Sequence, residues 1–471
     1  MQGLGALKRS PHCSHWVKVS NQGTSPEQMD ILLALFISFC ALIFSALKGY
    51  FVGYPLLVAI AIFIGMLIRR GFQLPALLNM AVRGSQKSLP VLKVLLLIGA
   101  VTSAWMAAGT VPTIVYYGIQ WINPQWFVLA AFGLTSMVSL LIGTSFGAVS
   151  TVGVALMIMA NGSGANSAVI AGAIIAGAYV GDRCSPMSSS AILIASITQT
   201  QLYSNIRAMW KTALLPLGVS LVIYAGLSLL NPVRVENQTF LAQTQQTFQI
   251  APIALLPALI ILLLSLAQVS VTRSMLWSIG GAIALAIGVQ HYTALDLIRF
   301  MTLGFRLNSA SPLYDIFKDG GILAMLRVSV VVILSTAFVG IFAETQILDK
   351  LDSAIVGIKS RRHCFFTTCW VGIATATFGC TQTIAILLTQ QLVTPNYGEL
   401  PDGRDRLALD LENTVVVLSP LIPWNIAGLV PATVLHVGFG FVPFACYLYL
   451  LPLISWAQLN SARLPSAKPD G

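Results

Sequence analysis

The stretch "VGDRCSPMSSSAILIAS", residues 180–196, sets an aspartate, an arginine, a proline and a run of serines between the apolar runs 165–180 and 212–230. Its reading decides the fold. In hydrocarbon each unsatisfied polar backbone group costs several kcal/mol, so such a stretch persists only where protein, water or an ion meets its needs.

The surrounding composition says that hydrocarbon is the setting. Of 471 residues, 56% are hydrophobic and 9% charged, where a soluble globule carries roughly 25% charged residues. Mean hydropathy is +0.82. Further apolar runs able to cross a bilayer occur at 31–47, 51–68, 91–109, 126–142, 253–267, 275–290, 322–342 and 437–457. This predicts an all-α polytopic membrane protein with about ten to twelve transmembrane or re-entrant helices.

The formal net charge of +10 does not indicate a nucleic-acid partner, because the basic residues fall in short loops between apolar runs. There they act as topology signals. "RRGFQLPALLNMAVRGSQKS" (69–88), with Arg69, Arg70, Arg83 and Lys87 and no acidic residue, is placed in the cytoplasm, as are "KSRRH" (359–363) and the tail 1–29. That tail has no short apolar core with a cleavage site before Asp30, so the first apolar run reads as a retained helix. Seven cysteines without a CxxC pair imply no disulfide framework or zinc knuckle, and "HCSH" (12–15) is a weak metal candidate.

The chain also echoes itself. "GTSFGAVST" (143–151) resembles "ATFGCTQT" (376–383), with Phe378-Gly379 lying 232 residues after Phe146-Gly147. "CSPMSSS" (184–190) resembles "LSPLIPWN" (418–425), with Ser419-Pro420 lying 234 residues after Ser185-Pro186. Paired interruptions in two halves are the pattern of a transporter built from repeats with broken helices meeting at the midplane. The first Gly/Thr element is entered from the uncharged, aromatic "YYGIQWINPQW" (116–126) and the second from the basic "KSRRH", so the repeats are expected to be inverted. The expected organisation is repeat 1 over 30–230, a connecting loop over 231–250, repeat 2 over 251–457 and a C-terminal tail over 458–471. A second exposed loop is expected over "TPNYGELPDGRDR" (394–406).

Helix breaks are expected at Gly147, Pro186, Gly379, Pro420 and Pro423, where freed carbonyls, hydroxyls and half-helix N-termini can meet ions. Asp182 is the leading candidate, since a carboxylate within an apolar span is a functional residue by default. If buried and unpaired it would exchange a proton for a cation. The alternatives are an ion pair with Arg183 or a place at the membrane surface. Glu412, seven residues before Ser419, is the second carrier candidate, with helix capping as its alternative. Glu344 and Asp315 are expected in loops.

Oxygen ligands for a hard cation, or partners for a carboxylate or zwitterion, come in the first half from Thr144, Ser145, Thr151, Ser185 and Ser188, with Ser189 and Ser190 beside them. The second half offers Thr381, Gln382, Thr383, Asn413, Thr414, Ser419 and Asn425. About half of this set is expected only to pack helices. No metal other than transported Na+, and no cofactor, is expected.

At these residues the chain resembles the NhaC-type Na+/H+ antiporters of the ion transporter superfamily. "GTSFGAVSTVGVALM" (143–157) is similar to the family's GTSWGTxGTVGVAL, "AGAIIAGAYVGDRCSP" (171–186) to its AGAIISGAYFGDKxSP, and "SPLIPWN" (419–425) to its second-half signature. The likeness covers most of 30–457. It implies that Thr144, Ser145, Asp182, Ser185, Ser188, Glu412, Ser419, Pro420 and Asn425 fall on the ion pathway. The chain also departs from the pattern. Ser189 stands where the family has Asp and Ile192 where it has Asn; Asn413 replaces an Asp, and Thr381-Gln382 replaces Asp-Gln.

Two functions therefore stand side by side. The motifs favour a secondary transporter exchanging Na+ for H+ across a bacterial-type inner membrane by alternating access. The three lost carboxylates favour an H+- or Na+-coupled carrier of a small organic acid or amino acid on the same scaffold, because less negative charge weakens cation binding. An enzyme is not expected: no P-loop or Ser-His motif is present, and no second Asp is read in an apolar setting like that of Asp182. The expected partners are the transported ions or solute and membrane lipid, with a homodimer as an open alternative and no nucleic acid.

Overall fold

The structure is a computed structural model and describes residues 26–48, 50–161, 165–232, 237–307, 311, 313–314, 317, 320–345, 360–398 and 400–459. "HCSH" and Asp315 lie outside the described residues. The first half holds α1 (Pro26–Lys48), α2 (Gly53–Arg69), α3 (Leu74–Gln86), α4 (Leu89–Ala107), α5 (Thr110–Trp121) and α6 (Phe127–Ile142). It continues with α7 (Ser145–Ala148), a π turn over Val149–Gly153, α8 (Val154–Asn161), α9 (Ser167–Cys184), α10 (Ser189–Thr198) and α11 (Leu202–Leu230). Then follow α12 (Asn237–Thr247), α13 (Leu256–Leu266), α14 (Val271–Gly288), α15 (Ala294–Leu303) and α16 (Leu326–Thr345). The last group is α17 (Arg361–Gly379), α18 (Gln382–Tyr397), α19 (Gly403–Asn413), α20 (Val415–Leu418), α21 (Ile426–Val434) and α22 (Cys446–Gln458).

Among the described residues six helices are long and apolar enough to cross a membrane, or eight if each of two bent pairs is one span. Three shorter apolar helices add to these. The expected ten to twelve segments thus divide into fewer continuous spans and several broken ones, because the chain keeps interrupting its apolar runs. The run 437–457 is one case: it splits into a 3-10 segment, Phe439–Phe444, and α22. The architecture is all-α and polytopic. The expected connecting loop over 231–250 instead carries α12, and α12 with Pro252–Leu266 forms one of the bent pairs, at 87°. The expected loop 394–406 is shorter than its composition implied: α18 runs to Tyr397, α19 begins at Gly403, and Asn396 and Tyr397 are buried.

Side-chain caps start the helices around the breaks. Asn166, Ser188, Thr381 and Asn425 each accept a hydrogen bond from a first-turn N–H of α9, α10, α18 and α21 respectively. The tightest contact is between α6 and α9. A Cβ at Gly181 would lie 2.0 Å from the Ser139 carbonyl carbon, and one at Gly177 would lie 2.6 Å from the Phe132 oxygen. Two glycines four residues apart let the backbones touch, which is how membrane helices gain packing without a hydrophobic driving force.

The two halves repeat at one constant offset of 237 residues. Gly143 (φ +75°) and Cys380 (φ +53°) both end a helix in the left-handed region, and the extended Thr144 and Thr381 then start the next one. Ser188 and Asn425 occupy the same N-cap place, and the left-handed Gln199 and His436 follow α10 and α21. Leu89 and Leu326 open α4 and α16 at this same spacing, as Leu202 and Phe439 open their segments. This corrects the register expected from residue identity. Pro186 is equivalent to Pro423, not Pro420, and Ser145 to Gln382. Gly147 is not a break: it lies in the first turn of α7, packed on Thr144 and Ile142, while the break is Gly143–Thr144. Gly379 is the last residue of α17.

Candidate functional site

Asp182 ends up two residues from the C-terminus of α9 and is 4% exposed. Its carboxylate faces the start of both halves' second broken helices. Oδ1 accepts the backbone N–H of Ser145, the first residue of α7, at 3.2 Å, and Oδ2 accepts the side-chain amide of Gln382, the first residue of α18, at 3.4 Å. Gln382 also donates to the Val416 carbonyl at 3.0 Å. The two pseudo-equivalent positions thus converge on one acid. Below it, the hydroxyls of Ser188 and Ser190 both donate to the Asp182 carbonyl, the latter at 2.8 Å, and so satisfy the backbone freed where α9 ends. Ser185 caps this turn by accepting from Met187 N–H at 3.2 Å. The position equivalent to Asp182 is Ser419, whose hydroxyl bonds back to the Val415 carbonyl at 2.6 Å, so only one half supplies the carboxylate.

Arg183 does not pair with Asp182. Adjacent helix residues point about 100° apart, and the guanidinium turns to a second polar cluster. It is fully buried, donating to the Met209 carbonyl at 3.1 Å, to Thr212 Oγ1 at 2.8 Å and to Asn413 Oδ1. Asn413 in turn donates to Ser455 at 3.4 Å. Glu412 is 0% exposed and neither of its carboxylate oxygens has a hydrogen-bond partner. It feels the charges of both Arg183 and Asp182. Glu412 is therefore no helix cap, and Asp182, Arg183 and Glu412 form one buried charged set.

Other expected residues stand apart from this set. Thr151 lies in the π turn and bonds to the Gly147 carbonyl at 2.7 Å. Thr144 and Thr381 sit at the two helix starts, and only Thr381 caps with its side chain. Thr383 is exposed. Thr414 bonds to the Asp410 carbonyl at 2.6 Å. Asn425 caps α21 and donates to the Ala376 carbonyl at 2.8 Å, so it stitches the second break together. Pro186 and Ser189 are exposed and Ile192 is 50% exposed. Two departures from the family pattern, Ser189 and Ile192, therefore lie on an outer face of α10. A third departure, Asn413, touches the buried charges directly, and Gln382 beside Thr381 does so as well.

The reading of the residues missed Asp410. It is 1% exposed and held by Arg361 through two hydrogen bonds, 2.5 and 2.6 Å, and by the Tyr397 hydroxyl at 2.6 Å. A second buried Asp does exist in this chain, but its guanidinium pair makes it a clamp of α17, α18 and α19. Glu344, expected in a loop, closes α16 and pairs with Arg83 of α3 at 3.0 and 2.5 Å. Among the described residues no group of three His, Cys, Asp or Glu is arranged to hold a metal.

The chain is similar to known antiporters over most of its length. The profile of the Na+/H+ antiporter family matches residues 27–199 and 177–457. The malate-2H(+)/Na(+)-lactate antiporter of Bacillus subtilis is 30% identical over 88% of this chain and 89% of its own length. Na(+)/H(+) antiporter NhaC of Alkalihalophilus pseudofirmus is 28% identical over 77% of this chain and 80% of its own. The arginine/ornithine antiporter ArcD of Halobacterium salinarum is 25% identical over 77% of this chain and 76% of its own. The chain belongs to the Na+/H+ antiporter family and is a multi-pass membrane protein acting as a secondary antiporter.

Proposed function

We propose that this antiporter exchanges Na+ for H+ by alternating access around Asp182. The supporting observation is the Asp182 carboxylate, buried where Ser145 of one half and Gln382 of the other both donate to it. A buried carboxylate can be neutralised by a proton or by a cation, and one acid cannot hold both, which is the elementary requirement of exchange. Neutralising it also weakens its two hydrogen bonds, so loading the site loosens the contact between halves. The halves, 30–230 and 251–457, are read as inverted repeats that rock about this acid. Thr144 and Thr381 at the helix starts and the Val416 carbonyl supply further oxygens, and Glu412 is a second buried carboxyl nearby.

Proteoliposomes holding the protein and a preset pH gradient test the proposal. Na+ should trigger a saturable change of internal pH that is lost in Asp182→Asn. Wild-type exchange by that variant would remove Asp182 from the carrier role.

One observation favours a second reading, exchange of a small organic acid or amino acid. Arg183 is buried against an amide, Asn413, where the family pattern has a carboxylate, so its charge is not cancelled by an ion pair there. An amide in place of a carboxylate at this contact leaves the guanidinium more able to attract an anionic solute. The printed names of two relatives, for malate and lactate and for arginine and ornithine, belong to those proteins and support the same direction. No response to Na+, Li+ or K+ from folded protein, with counterflow of an organic acid, would establish this second reading. Neither reading assigns a catalytic residue.

A further inference from the structure

A groove of about 1080 Å³ lies far from Asp182 in sequence, between α15 and the start of α16, with Arg299, Arg306 and Arg327 on its walls. Three guanidiniums around one groove repel one another unless an anion lies between them. Asp296 also lines it, but its carboxylate is engaged in a capping box: Oδ2 accepts Thr293 N–H at 3.1 Å and the Thr293 hydroxyl at 2.6 Å. Among the described residues none of the three arginines makes a hydrogen bond or an ion pair within 4.0 Å. Surface arginines of folded proteins are commonly solvated singly; here three share one concave wall with a single acidic neighbour, Asp296, whose charge Arg299 already feels, so the described lining keeps an excess of positive charge that suits an external anion.

The groove is rigidly built. Arg306 follows Phe305, which is 1% exposed and packed among the rings of Phe248, Tyr292 and Phe300. Arg327 sits in the first turn of α16, whose entry is pinned by Gly321 N–H on the Gly99 carbonyl at 2.8 Å. A Cβ on Gly99 would lie 2.5 Å from the Gly321 oxygen, so the α4 backbone abuts this entry directly. The rim is greasy. Leu303 and Leu323, both on the groove, are about half exposed, and Leu295, Ile298 and Leu326 extend the apolar surface beside it.

We propose that this groove binds the headgroup of an anionic phospholipid, with the phosphate among Arg299, Arg306 and Arg327 and the acyl chains along Leu303 and Leu323. Charge complementarity supplies the headgroup preference, since basic pockets between membrane helices take acidic lipid heads. The exposed leucines distinguish a lipid from a free phosphate or a small organic anion, which would have no use for them. This proposal is independent of what the antiporter exchanges.

Native mass spectrometry of the full-length protein, given phosphatidylglycerol and phosphatidylcholine in equal amounts, tests it. Phosphatidylglycerol should be retained preferentially by the wild type, and Arg299→Gln, Arg306→Gln and Arg327→Gln should each weaken retention roughly fivefold. Equal retention of the two lipids, or unchanged retention in all three variants, would overturn the proposal. Excess inorganic phosphate should displace little of the lipid; full displacement would also overturn it, by showing a site for free anions.

Discussion

Asp182 Oδ2 and Gln382 Nε2 are 200 residues apart in the chain and meet at 3.4 Å, while Asp182 Oδ1 takes the N–H of Ser145, the residue equivalent to Gln382. One acid thus holds the same point of both halves. The contact is made by one side chain and one backbone group, so the two halves are bound to it differently. Whatever neutralises Asp182 acts on both at once.

Asn413→Asp would place a carboxylate against the Arg183 guanidinium, in the family's manner. If anionic solute exchange depends on that free charge, counterflow of an organic acid should fall at least about tenfold, since roughly 1.4 kcal/mol of differential attraction is enough. Na+-dependent proton movement should persist. Solute counterflow and internal pH, followed in the same vesicles, check both arms.

Gly181→Ala should be severe for a steric reason alone. Its Cβ would overlap the Ser139 backbone, which cannot swing away as a side chain can. A loss of about 3 kcal/mol or more is expected, above the usual range for overpacking. Gly133→Ala, on α6 with nothing within 4 Å of its new Cβ, should be near neutral. Thermal unfolding in detergent compares the two.

Arg361→Ala leaves Asp410 buried with the Tyr397 hydroxyl as its remaining side-chain hydrogen bond. Breaking such a pair from one side costs about 3–5 kcal/mol. Replacing both, Arg361→Met with Asp410→Leu, should recover most of that loss, because the cost lies in the orphaned charge. A double-mutant series read by Tm would show it; equal losses in the single and the double variant would count against the clamp.

Glu344 and Arg83 pair at the end of α16, beyond the apolar span 322–342. The hydrogen bond from Arg83 holds the Glu344 carboxyl below its ordinary value. A depressed acid contributes stability that is present above its unfolded value, about 4.3, and lost as pH falls through the folded one. The Tm gap between wild type and Glu344→Gln should therefore be small at pH 7, as exposed pairs are weak. It should shrink as the pH falls below the ordinary carboxylate range. A gap that grows on acidification would contradict the assignment.

Much of the site could be read from residues alone, and its errors have a common physical cause. The breaks, Asp182 and Glu412 were legible because hydrocarbon makes polarity conspicuous. The repeat was legible too, but matching Phe-Gly to Phe-Gly and Ser-Pro to Ser-Pro misplaced it by a few residues. Helix ends are set by φ, ψ and capping, and different residues serve the same end: Gly143 and Cys380 share a left-handed conformation, and Ser188 and Asn425 share an N-cap. The alternative of an Asp182–Arg183 pair does not hold, since neighbours on a helix diverge. Asp410 went unseen because its partner Arg361 is 49 residues away and looked like a loop charge.

By itself the sequence determined that this is an all-α membrane protein whose apolar runs carry repeated polar interruptions. Composition and hydropathy suffice for that, because a bilayer penalises every unsatisfied polar group. Only the tertiary structure decided which interruptions meet. Ser145, Gln382 and Asp182 come together, as do Arg183, Glu412 and Asn413, while Thr151, Thr383, Ser189 and Ile192 do not. Such meetings depend on where helices cross and how closely. The crossing of α6 and α9 at Gly177 and Gly181 brings Asp182 to the start of α7; the glycine spacing permits a close crossing, but which helix fills it is decided by the tertiary structure.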